Sequence, residues 1–137
     1  MKDIVKGKRI LVTGSSSGIG LETARTLSEQ GAEVLGVDVN KCFDHVDEFY
    51  RADLSDPRTI DALIDVLPED IDGLVNNAGM LDRSTLETVS SELTDLMFAV
   101  NFRAPLMLTK AAVAEMKTQT TGGNIVNIGS INAGSGA

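Results

Sequence analysis

The sequence predicts an α/β fold in which about five parallel strands, in the order 3-2-1-4-5, form a doubly wound sheet with helices on both faces, incomplete on its C-terminal side. Three observations carry this expectation. Apolar, strand-like runs alternate with helix-like segments along the chain. The run Arg9-Ile10-Leu11-Val12-Thr13-Gly14-Ser15-Ser16-Ser17-Gly18-Ile19-Gly20 passes from an apolar strand through glycines into a helix. The second strand then closes on an acid, Asp38, 18 residues past Gly20.

Residues 9–13 form the first strand. The helix that follows, about 18–30, sets Gly20, Ala24 and Leu27 on one face, small residues first, so that it can lie close to the sheet; Gly31 ends it. Residues 34–38 read as the second strand, and a short polar stretch leads to a third at 49–53. Ser55-Asp56-Pro57 starts a helix with a capping hydroxyl or carboxylate and a first-turn proline. Ile60, Leu63, Ile64 and Leu67 are its buried stripe, and Pro68 stops it. Residues 71–76 make the fourth strand, a long helix spans Ser91 to Lys117, and Gly122-Gly123 breaks before a fifth strand at 124–130. The middle of the long helix is apolar nearly all round, from Phe98 through Phe102 and Leu106 to Met116, so it needs cover beyond one sheet. That cover is either a later helix of the same protein or the same helix of a second subunit, a homo-oligomer through 91–117.

One domain over residues 1–137 is expected, with 42% apolar residues to fill its core. A net charge of -8 without a Lys/Arg cluster argues against nucleic acid or an anionic membrane as partner. No segment is expected to reach the roughly 20 apolar residues of a membrane helix, and a cytoplasmic protein is the expectation. Cys42 is the single cysteine and His45 the single histidine; both read as ordinary surface or half-buried groups, and no metal site is visible.

The chemistry begins in the first glycine turn. Gly14 permits the bend, Gly18 lets a phosphate approach the backbone, and Gly20 allows close helix–sheet contact, while Ser16, Ser17 and Ile19 complete a cradle at the positive end of the helix. Such a cradle suits the pyrophosphate of a dinucleotide. Asp38, with Val39 beside it, closes the second strand where the adenosine ribose should lie; a carboxylate there accepts from both ribose hydroxyls and repels a 2′-phosphate. NAD is therefore preferred over NADP. The bland alternative is an acid that caps a turn.

The spacing Thr13-Gly-x-x-x-Gly-x-Gly, Asp53-Leu54 after the third strand, Asn76-Asn77-Ala78-Gly79 after the fourth, Asn101 in the long helix and Ser130 after the fifth stand in one order. In that order they resemble the short-chain dehydrogenase/reductase family, with a glycine spacing unlike that of its extended, epimerase branch. The resemblance implies a Rossmann-like fold and a nicotinamide coenzyme. It sets Asp53 and Leu54 at the adenine, Asn76, Ala78 and Gly79 along the middle of the coenzyme, and Val100 near it. Asn77 reads better as a bond between strands, and Asp53 has a helix-capping alternative.

The resemblance also names catalytic groups. Ser130 would hydrogen-bond the substrate oxygen, and Asn101 would hold a relay water through its main-chain carbonyl. The sequence supports the second independently, because the residue four positions on is Pro105, which has no N–H to occupy that carbonyl. The family's Tyr and Lys do not occur before Ala137, and Tyr50, the only tyrosine, lies at the adenine side with Leu54 four positions on. The expectation is therefore the coenzyme-binding portion of a longer oxidoreductase acting on a secondary alcohol or ketone, ending in a small-residue loop at 131–137, and inactive alone. A non-catalytic NAD-binding module and a structural partner of a full-length subunit are the alternatives. Leu81-Asp82-Arg83 reads as a solvated loop.

Overall fold

The computed structural model describes residues 4–130; the small-residue loop expected at 131–137 lies outside them. β1 (Arg9–Thr13), α1 (Gly18–Glu29), β2 (Glu33–Asp38), β3 (Glu48–Arg51), α2 (Pro57–Val66), β4 (Gly73–Asn76), α3 (Ser91–Phe98), a π-helical turn (Ala99–Arg103), α4 (Ala104–Met116) and β5 (Asn124–Asn127) follow in chain order. All five strands are parallel, in the predicted order β3-β2-β1-β4-β5.

Strand alternation divides the core. Leu11, Leu35, Val37 and Leu74 pack with Ile60 and Leu63 of α2 and with Ala104, Leu108, Ala112 and Met116 of α4. Ile10, Val12, Val34 and Val75 face the other way, where Ala24 of α1 meets them. Gly20 and Ala24 are the buried residues of α1, and Gly31 ends its turn at φ +88°. α2 is capped by the Asp56 carboxylate, which accepts from the Arg58 N–H at 2.9 Å. Ser55 is thus not the cap.

Several boundaries differ from expectation. β3 ends at Arg51, β4 starts at Gly73 and β5 stops at Asn127, so Asp53 and Ser130 stand in loops beyond strand ends. The long helix is not uniform either. Its 99–103 turn is wider than an α turn, with the Ala104 N–H donating to the Ala99 carbonyl. In an α-helix the ring of Pro105 would press on the Asn101 carbonyl, and the wider turn relieves that clash.

From Ser91 to Met116 this helical stretch is long and apolar enough by length and composition to cross a membrane, against expectation. Ala104, Leu108, Ala112 and Met116 of α4 are buried against the sheet, whereas α3 has no buried residue. Phe98, Phe102 and Leu106, spaced by four residues, remain more than half exposed, with the two rings 5.0 Å apart; Phe102 and Leu106 also line a cleft of about 390 Å³. That strip bears out the mismatch between this helix and a single sheet.

Candidate functional site

The carboxyl ends of the strands open toward the amino end of α1. Gly14 and Gly18 hold positive φ, +68° and +54°, and the N–H groups of Gly14 and Ser15 donate to the Val37 carbonyl, binding the turn to β2. A Cβ on Gly18 would meet nothing within 4 Å, whereas one on Gly20 would lie 2.0 Å from the Gly14 carbonyl oxygen and 2.5 Å from Asn77 Nδ2. One glycine leaves the approach clear, and the other lets the support close up beneath it. Ser17, the N-cap, makes no side-chain cap bond, and the first turn of α1 carries no acid. The leading N–H groups of a 12-residue helix therefore face the opening without a side chain to satisfy them.

An open cleft of about 450 Å³ lies there. Among the residues expected to contact a coenzyme, Gly14, Ser17, Gly18, Ile19, Asp38, Val39, Asp53, Leu54, Ala78, Gly79 and Val100 line it. The β1–α1 turn, the end of β2, the loops after β3 and β4 and the π-helical turn bring these eleven together from across the chain. Gly20 and Ser16 do not line it. Gly20 is packed beneath the turn, and Ser16 works at the rim: its N–H donates to Asp38 Oδ2 at 3.1 Å and its hydroxyl to the Asn40 carbonyl at 2.6 Å. Asn40 N–H donates in turn to Asp38 Oδ1 at 3.0 Å, so both carboxylate oxygens are held by backbone while the side chain borders the cleft. Asp53 borders the cleft and also closes its own loop, accepting from the Ser55 N–H at 2.9 Å and hydroxyl at 2.7 Å.

Asn76 and Asn101 belong to an adjoining cleft of about 390 Å³, which shares Asn77, Ala78 and Gly79 with the first. Asn76 is buried, and its Nδ2 donates to Asn127 Oδ1 and Thr109 Oγ1, joining β4 to β5 and α4. Asn101 turns its side chain to the loop after β4, donating from Nδ2 to the Met80 carbonyl at 2.8 Å and accepting at Oδ1 from the Met80 N–H at 2.7 Å. Its main-chain carbonyl has no α-helical donor, Pro105 standing four residues on. Ser130 is exposed and lies three residues past β5; it does not line either cleft.

Sequence reasoning passed over Thr13 as a site residue. This buried side chain accepts at Oγ1 from the N–H groups of Asn77 (3.0 Å) and Ala78 (2.9 Å), fixing the loop that both clefts share. Asn77 Nδ2 returns the tie, donating to the Thr13 and Gly14 carbonyls, in keeping with a bond between strands, although Asn77 lines the clefts as well. A hydroxyl ending an otherwise apolar strand was the available signal. Asn40 and Ala52 are further lining residues that no spacing rule singled out.

Tyr50 packs against the core with its hydroxyl donating to the Glu48 carboxylate. Burial, and then that bond, push its hydroxyl from the ordinary 10 up to about 12. It is neutral at physiological pH and offers no phenolate. The folded state favours the protonated form, so its contribution is complete below about pH 10 and is lost as pH rises toward about 12. Urea midpoints measured across that window should fall more steeply for the parent than for Tyr50→Phe; equal slopes would show that this hydroxyl is not perturbed.

A parallel sheet in this order, with a glycine turn and helix N-terminus at its switch point, defines the Rossmann class of nucleotide-binding folds. Within that class the chain belongs to the short-chain dehydrogenase/reductase family: the short chain dehydrogenase model matches residues 8–137. It is 44% identical over 124 residues to a coniferyl-alcohol dehydrogenase of Pseudomonas sp. (strain HR199 / DSM 7063), covering 90% of this chain and 44% of that protein. It is 37% identical to the short chain dehydrogenase adrF of Penicillium roqueforti, covering 100% of this chain and 56% of the relative. The chain thus spans about half the length of these relatives. Among solved structures it resembles the NADH-dependent reductase A1-R′ complexed with NAD, with a TM-score of 0.88 and 34% identity over 100% of this chain and 65% of the other.

Proposed function

We propose that this chain is a dinucleotide-binding domain that holds NAD(H) in the 450 Å³ cleft and serves an oxidoreductase acting on a secondary alcohol or ketone. The observation that carries this reading is the uncapped amino end of α1, with Gly18 open above it and Asp38 at the rim. The fit is chemical as well as spatial. N–H groups at Gly18 and Ile19 suit a pyrophosphate, and the Asp38 carboxylate suits two ribose hydroxyls and opposes a third phosphate. The NAD bound to the A1-R′ reductase supports the same choice.

A bound nicotinamide would supply the hydride chemistry. In the adjoining cleft, Asn101 holds the Met80 loop in place and leaves a carbonyl able to accept a proton-relay water. By the family resemblance alone, Ser130, which lines neither cleft, would hydrogen-bond the substrate oxygen. The long helix 91–117, apolar nearly all round, suits contact with a second copy of the chain, with Phe98 as its exposed residue clear of both clefts.

Calorimetric titration tests the coenzyme reading. The parent should bind NADH more tightly than NADPH. Replacing Asp38 by Ala removes two acceptors and one repulsive charge, and should lower the NADH preference by about tenfold or more, the worth of one hydrogen bond to a charged group. Unchanged discrimination in Asp38→Ala would show that the carboxylate does not choose the coenzyme.

A further inference from the structure

The π-helical turn Ala99–Arg103 does more than admit Pro105, because one of its residues lines the cleft and two others fasten the loops that carry further lining residues. Val100 lines the cleft directly, Asn101 grips Met80 by two bonds, and Arg103 Nη2 donates to the Ser55 carbonyl at 2.8 Å. The last contact joins positions 48 residues apart. Ser55 closes the loop that carries Asp53 and Leu54, two lining residues of the cleft. The amide side of that loop is fastened within itself by the Asp53 carboxylate, and its carbonyl side is fastened to the helix by Arg103.

Arg103 is a costly choice for a peg. Its side chain is half-buried, and its Nε is buried with no hydrogen-bond partner among the described residues. An unmet donor on a buried guanidinium costs free energy that an apolar residue would avoid. What the guanidinium gives in return is a charge-assisted bond to a loop carbonyl, which sets the Asp53–Leu54 wall at a defined distance from Val100. A helical turn wider than α also marks sites where side chains must be aimed differently from their neighbours.

We propose that Arg103 is a positioning residue that sets the Asp53–Leu54 wall and thereby the affinity for the adenosine half of the dinucleotide. This rests on the coenzyme reading above. The full chain would be titrated with AMP and with NADH by calorimetry, as the parent, Arg103→Gln and Arg103→Lys. Arg103→Gln should weaken both ligands by the same factor, about tenfold, the worth of one hydrogen bond to a charged donor, because the loss lies in the shared adenosine. Arg103→Lys should recover much of it, and the Tm of the unliganded chain should move little. AMP binding within twofold of the parent in Arg103→Gln would overturn the role, as would a loss that tracks a fall in Tm and is not relieved by lysine. If Arg103→Gln does not fold, Arg103→Met, which also lacks the charged donor, takes its place: faster amide exchange over 53–59 with weaker AMP binding supports the role, and parental values for both overturn it. A parent chain that binds neither AMP nor NADH refutes the coenzyme reading itself, and this role falls with it.

Discussion

Gly20→Ala is expected to destabilise the domain by about 3 kcal/mol or more, the upper range for overpacking a rigid site. In most helix interiors the same exchange is favourable, by up to about 1 kcal/mol, because alanine has the higher helix propensity. Here the added methyl would stand 2.0 Å from the Gly14 carbonyl oxygen, 2.7 Å from the carbon it is bonded to, and 2.5 Å from Asn77 Nδ2. Two of these are backbone atoms of a turn already bonded to the Val37 carbonyl, so relief requires α1 to lift from the sheet. Lifting it strips Ala24 from Val12 and Val34 and moves the helix N–H groups away from the opening. Steric cost therefore outweighs propensity. Thermal unfolding should show a Tm lower by roughly 10 °C or more, as such a loss implies for a domain of this size. NADH affinity should fall with it.

Gly18→Ala is the control. No atom lies within 4 Å of its added Cβ, and the cost is confined to a φ of +54°, about 1 kcal/mol for a single left-handed residue. A Gly20→Ala protein as stable as Gly18→Ala would mean that the turn is far softer than its contacts indicate.

The glycine turn was legible because it is local. Strand, bend and helix are contiguous, and the positive φ of Gly14 and Gly18 and the approach of Gly20 to the Gly14 carbonyl all fall within that run. Asp38 was legible for a similar cause, since the end of a strand has a fixed place in a parallel sheet. The helix 91–117 was legible as a helix, but its interruption was only half visible. Pro105 announces a freed carbonyl at Asn101; it does not say that the strain will be relieved by a wide turn at Ala99–Arg103, which depends on how α3 and α4 both lie on the structure. The side-chain clamp from Asn101 to Met80 and the reach of Arg103 to Ser55 span 21 and 48 residues. No local pattern encodes contacts of that range. Asp53 shows a different difficulty: its carboxylate closes its own loop and borders the cleft, while the helix-capping role weighed for it from sequence falls to Asp56.

Thr13→Val should cost about 3 kcal/mol, with Thr13→Ser restoring most of it. Valine matches threonine in shape but has no acceptor, so the Asn77 and Ala78 N–H groups lose the Oγ1 that receives them at 3.0 and 2.9 Å. Each donor left without a partner in a buried site costs on the order of 1–3 kcal/mol. The bond that Thr13 donates to the Val75 carbonyl is long, 3.5 Å, and adds little. Serine keeps the hydroxyl and loses one methyl, about 1 kcal/mol in a packed core. The functional effect should exceed the stability effect in one respect. Asn77 and Ala78 line both clefts, so their loop is the wall the two share, and Thr13→Val should weaken NADH even at temperatures where the chain is fully folded. Urea unfolding and NADH titration at low temperature read the two effects separately. If valine is tolerated within about 0.5 kcal/mol, the two N–H groups find water or other acceptors, and the threonine is not what holds that loop against β1.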